Sequence, residues 1–98
     1  MKRRLFVRPE AQLDIDEAAF WYDDQKLGLG DRFEEELSHL FARITEHPLH
    51  FPELELGVRR ALPNVFPYGV YFTVEDDSIT VVTVLHQSRD PRAWKSRL

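Results

Sequence analysis

The C-terminal third of the chain restricts its fold most. Phe66 to Val74 reads FPYGVYFTV and Ile79 to His86 reads ITVVTVLH, with only Glu75-Asp76-Asp77-Ser78 between them. Two runs rich in β-branched and aromatic residues around a short acidic turn predict an antiparallel hairpin, with strands over 65–75 and 79–86. In the first run Phe66, Tyr68, Val70, Phe72 and Val74 share one parity, so that face is expected to be core. His86 and Arg89 stand where the second strand gives out. Polar side chains at the rim of a rigid sheet are well placed for chemistry or recognition.

The preceding residues supply the rest of one α+β domain. Arg4 to Arg8 reads as a short first strand, with Pro9 at the first helical position. Ala11, Ile15, Ala18 and Tyr22 then recur at helical spacing and mark one buried stripe. Leu13, Phe20 and Trp21 are apolar beyond that stripe, and either thicken the core or form a partner surface. Asp14, Asp16, Glu17, Asp23 and Asp24 read as a solvated face. Leu27-Gly28-Leu29-Gly30 breaks the helix, and Asp31 with Glu34 predicts the cap of a second one. Phe33, Leu37, Leu40, Phe41 and Ile44 carry that helix to His47-Pro48. Leu49 to Gly57 is read as a loop and Val58 to Leu62 as a strand. Alternation turns Arg59 away from the helices and leaves Arg60 on the side of Val58. Asp90-Pro91 opens a short final turn or helix with Trp94 packed on the sheet. The expected order is β-α-α-β-β-β: a helical hairpin on one face of a mainly antiparallel four-stranded sheet.

Charge is unevenly spread. Residues 9–56 hold 13 acidic and three basic side chains, whereas residues 1–8 hold four basic ones and no acid. An acidic chain of net charge −4 does not suit a protein that grips nucleic acid mainly through phosphates. With no cysteine, disulfides and thiolate zinc sites are ruled out, and a reducing compartment is consistent. His47 and His50 are three apart, but Pro48 interrupts the helix that would align them, so neither a metal site nor a cofactor is expected. Met1-Lys2-Arg3-Arg4 has the charge of a signal-peptide start, yet only Leu5, Phe6 and Val7 follow before Arg8. No run of about 18 apolar residues suggests a membrane span. The expectation is a soluble cytoplasmic protein.

Laid out this way, the chain resembles the RelE/ParE superfamily of toxins from type II toxin–antitoxin modules. The matching pieces are Val7-Arg8-Pro9-Glu10-Ala11, Trp21-Tyr22, Gly28-Leu29-Gly30 with Phe33, His47-Pro48, Arg59-Arg60, Phe66-Pro67-Tyr68, Tyr71-Phe72 and His86 to Trp94. The resemblance implies a toxin held in a hetero-oligomer by a cognate antitoxin. It allows two targets, because ParE-like members poison DNA gyrase and RelE-like members cut mRNA on the ribosome. The nucleases typically carry an arginine on the third strand, in a pattern like Tyr-Arg-x-Val-Tyr. Here the stretch reads Pro67-Tyr68-Gly69-Val70-Tyr71, which departs from that pattern and is closer to the ParE-like members.

A ParE-like topoisomerase inhibitor without covalent chemistry is therefore the first expectation. A ribosome-dependent endonuclease is the second, with Arg59, Arg60, His86 and Arg89 supplying acid, base and charge without metal. A degenerate toxin that only binds antitoxin is the third. Leu13, Phe20, Trp21, Arg59, Tyr68, His86, Arg89, Arg92 and Trp94 are the candidate contacts with target or antitoxin. Arg92, Lys95 and Arg97 form a small basic end.

Overall fold

A computed structural model describes residues 3–98; Met1 and Lys2, half of the basic opening, lie outside the described residues. The elements are β1 (Arg4–Val7), α1 (Pro9–Gln25), α2 (Leu29–Glu46), β2 (Glu53–Glu55), β3 (Val58–Ala61), β4 (Tyr68–Val74) and β5 (Ser78–His86). Single 3-10 segments occupy Pro48–His50 and Pro91–Arg97. The sheet order is β1-β5-β4-β3-β2, with β1 parallel to β5 and every other pairing antiparallel. The α+β expectation holds, but the sheet has five strands rather than four. The added strand, Glu-Leu-Glu, lies inside the segment read as a loop. It is wholly exposed and, among the described residues, pairs only with β3.

The helical hairpin is built by its glycines. Gly28 caps α2 at φ 90°, a left-handed conformation that costs glycine little. Asp31 lies in the first turn and is not the cap, contrary to expectation. A side chain of α1 does part of that work instead, because Asp23 Oδ1 accepts the Gly30 N–H at 2.8 Å. At Gly30 the helices approach so closely that an added Cβ would collide with the Ala19 carbonyl and meet the Asp23 carboxylate. The expected stripes face the sheet, with Ala19 buried beside them. Phe33 sits fully buried among Tyr22, Phe66 and Tyr68, ring centroids 5.1 to 5.4 Å apart. Truncating a phenylalanine so placed costs about 3–5 kcal/mol.

The other sheet face is buried as well. Val58, Tyr71, Val82, Leu85 and Trp94 form a second, smaller core, with the Tyr71 and Trp94 rings stacked 6.2 Å apart. Trp94 does pack the C-terminal segment onto the sheet. An irregularity brings Val82 to this face: Tyr71 pairs with Thr83 but Phe72 with Val81, so Val82 is an extra residue in β5. Strict alternation therefore fails in β5, whereas Tyr71 keeps to it and is buried off the predicted core parity because Trp94 covers that face.

The same second core corrects the arginine orientations. Val58 belongs to it, so Arg60, on the side of Val58, points away from the helices and pairs across to Tyr71. Arg59 pairs across to Phe72 on the helix side, where Nη1 donates to the Phe51 carbonyl at 2.6 Å. Its Nη2 lies 3.6 Å from Glu53.

Candidate functional site

Two depressions meet where β4 begins and β5 runs out. The larger, of about 500 Å³, lies between α1, the end of β5 and the C-terminal segment, and is lined by Trp21, Tyr22, Tyr68, His86, Arg89 and Arg97 among others. The smaller opens on the opposite face and gathers Arg60, Gly69, Tyr71, His86 and Arg89. His86 and Arg89 line both, so they form the rim between them.

The sheet fixes the ring of His86. Nδ1 accepts the Ser88 N–H at 2.9 Å, with Ser88 Oγ 2.8 Å away, so the neutral ring carries its proton on Nε2. The Tyr68 ring meets it edge-on at 5.0 Å, because the two residues are opposite in the β4–β5 ladder. Burial pushes the Tyr68 phenol above its ordinary range, the nearby Tyr22 adds to the rise, and the Arg89 cation partly offsets it. Among the described residues the Arg89 guanidinium has no hydrogen bond or ion pair. Asp90, the acid beside it, is taken by Arg92. Its carboxylate accepts the Arg92 N–H at 2.9 Å, and that backbone bond, with the side-chain bond second, lowers the acid's pKa.

The remaining candidates sit elsewhere. Arg59 is on the helix side of the sheet, bonded as above. Arg92, Lys95 and Arg97 do not form a free basic end, since they face Asp90, Glu55 and Asp14 respectively. Trp94 is buried. Leu13, Phe20 and Trp21 are 57%, 72% and 57% exposed, which excludes the reading that they thicken the core.

Asp14 eludes the sequence reading, whose helical pattern assigns it to a solvated face. It accepts Arg97 Nη1 at 2.5 Å, Arg97 Nη2 at 3.0 Å and the Val84 N–H at 3.1 Å. That hydrogen bond holds the Arg97 guanidinium above its already high range. Arg8 donates to the Arg97 carbonyl from the other side. No local signal reveals a partner 83 residues away.

The rings of His47 and His50 stack at 4.7 Å, and among the described residues no group of three or more histidine, cysteine or acidic side chains is placed to hold a metal ion. No helix among them is long and apolar enough to cross a membrane.

Residues 5–91 match the model of a family described as the ParE toxin of type II toxin–antitoxin system, parDE. The fold is similar to that of the chromosomal ParDE toxin–antitoxin system from P. aeruginosa, with TM-score 0.65 and 14% identity over 87% of this chain and 96% of that one. It is also similar to the toxin–antitoxin complex RelBE2 from Mycobacterium tuberculosis, with TM-score 0.63 and 13% identity over 88% of this chain and 99% of that one. Among curated proteins, none matches.

Proposed function

The chain belongs to the family of ParE toxins of type II toxin–antitoxin systems, and from that premise we propose that it inhibits DNA gyrase, or a related topoisomerase, by binding it. It needs no covalent chemistry of its own, and a cognate antitoxin neutralises it. The match to the ParE family over 87 of its residues carries this reading. The geometry is consistent with it. The sheet face away from the helices is filled by Tyr71 and Trp94 rather than left as an open basic surface. Arg59 lies on the other side, and Gly69 presents no side chain to the groove between Arg60 and Arg89.

A second reading has one specific observation in its favour. Arg60, His86 and Arg89 line one groove, and among the described residues Arg60 Nε, buried there, has no hydrogen-bond partner. In metal-free cleavage of RNA an imidazole can serve as the base or the acid, and cations offset the charge that builds on the phosphate. A gyrase supercoiling and cleavage assay with the purified protein separates the two. Lost supercoiling with trapped cleaved DNA supports the inhibitor. Unaffected gyrase, with protein that is folded and arrests growth, overturns it. Ribosome-bound mRNA cleavage that disappears in the His86→Gln, Arg89→Gln variant then establishes the nuclease.

A further inference from the structure

The cleft between α1 and the end of β5 gathers hydrogen-bond donors that the fold leaves unused. β1 stops opposite Val81, so beyond that point no strand covers the outer edge of β5 among the described residues. The Gln87 N–H turns toward β4 and reaches the Pro67 carbonyl at 2.8 Å. Alternation along the strand aims the N–H groups of Val84 and His86 the other way, into the cleft. Asp14 accepts the first at 3.1 Å, and the second is left. The Arg89 guanidinium, without a partner, lies within electrostatic reach of the Tyr68 phenol. Among the described residues the Tyr22 and Tyr68 phenols make no hydrogen bond, yet neither oxygen is sealed from water. Trp21, Tyr22 and Tyr68 wall one side, with successive ring centroids 5.2 and 6.2 Å apart. At about 500 Å³ the space is of the size that takes a small organic molecule.

We propose that this cleft binds a small aromatic carboxylate, with its anionic end on Arg89 and its ring against the aromatic wall. Charge selects the anion and limits it to one negative charge. Asp14 and Arg97 neutralise each other, which leaves Arg89 as the unpaired cation of the cleft and Glu17 as its unpaired acid among the described residues. Glu17 also borders the outer face of α1, so it stands at the mouth and repels a second negative charge. A phosphate monoester, close to doubly charged at neutral pH, is disfavoured for that reason. The planar guanidinium matches the two oxygens of a carboxylate, and the His86 N–H and Tyr68 phenol add neutral donors. Three aromatic rings on one wall favour a ring in the ligand, through stacked or edge-on contact. Binding of such an acid does not depend on the toxin reading. The consequence does: where a target contact uses Arg89, the acid competes for it.

The probe is naphthoate, titrated into the whole chain by isothermal calorimetry, and one saturable site is expected. Arg89→Gln should weaken binding about tenfold or more, because a charge-assisted contact is lost, and Tyr68→Phe about threefold for a neutral one. Arg32→Gln, which removes an exposed arginine of α2 outside the cleft, should change nothing. Naphthalenemethanol has the same ring without the charge and should bind about tenfold more weakly or worse, and naphthyl phosphate should bind no more tightly than naphthoate. Unchanged circular dichroism keeps the loss in Arg89→Gln from being misfolding. Binding without saturation, binding undiminished by Arg89→Gln, or an equal loss in Arg32→Gln overturns the inference. So does equal binding of the alcohol or tighter binding of the phosphate. A peptide ending in phenylalanine that binds more tightly than naphthoate also overturns it, because the cleft then reads a chain terminus rather than a small acid. Neither gyrase nor growth enters the measurement, so this inference and the toxin reading fail separately.

Discussion

Replacing Asp14 with alanine tests the energetics of the C-terminal segment. Its carboxylate is the one acid bonded to Arg97 among the described residues, and it also takes the Val84 N–H. The two side chains are 19% and 29% exposed, so water reaches the pair but does not surround it. A hydrogen bond to a charged group contributes roughly 1.5–3 kcal/mol, and exposure places this pair in the lower half of that range. Asp14→Ala is therefore expected to cost about 2 kcal/mol, which for a domain of this size lowers Tm by roughly 8–16 °C. Thermal and urea unfolding followed by circular dichroism measure both. Arg97→Met keeps the aliphatic stem, and the double variant closes a cycle in which the orphaned Val84 N–H cancels. The cycle should give a coupling energy of about 1 kcal/mol. A coupling within about 0.3 kcal/mol of zero would refute the assignment, since independent sites add that closely.

Two other outcomes can be checked on the same protein. Leu56 is 69% exposed yet held at φ 56°, next to Gly57 at φ 76°, the pattern of a type I′ turn that favours Asn-Gly. Leu56→Asn should stabilise by about 1 kcal/mol, because it relieves left-handed strain and loses almost no burial; a lower Tm would show that the side chain contributes something else. The raised phenol of Tyr68 predicts late ionisation on titration at 295 nm. A group whose folded pKa is raised stabilises the fold fully below the unfolded value, about 10 for tyrosine, and loses that contribution as pH climbs through the folded one. Stability should thus fall with rising pH above that range, and Arg89→Gln should delay Tyr68 further. Earlier ionisation in that variant would contradict the placement of Arg89.

Periodicity carried the elements that bury a single face over several turns or several pairs. The stripes of α1 and α2 and the β4–β5 hairpin were legible for that reason. β2 was hidden because Glu-Leu-Glu has little strand propensity and its turn has leucine where asparagine would signal a hairpin. Of the second core only the packing of Trp94 was legible; the extra residue at Val82 breaks the parity of β5, and the cover over Tyr71 comes from a distant segment. The Arg59 and Arg60 orientations inverted because an apolar Val58 suits either core and belongs to the second. Of the candidate site, the surplus apolar residues of α1 could be read directly as too many for one stripe. Asp14 could not, because one carboxylate on a helix looks the same whether it meets water or an arginine from the far end of the chain.

The parallel pairing of β1 with β5 also sets a schedule. β5 is synthesised after the other four described strands, yet it lies between β1 and β4 and holds both in the sheet. Until residue 86 has left the ribosome, β1 has no strand to pair with and the helices have only part of a sheet to cover. Synthesis proceeds from the N-terminus, and long-range pairing waits for its partner. A nascent or prematurely terminated chain is therefore an open substrate for proteases rather than a weakened version of the finished protein. Whatever the finished fold does is withheld until β5 has been made.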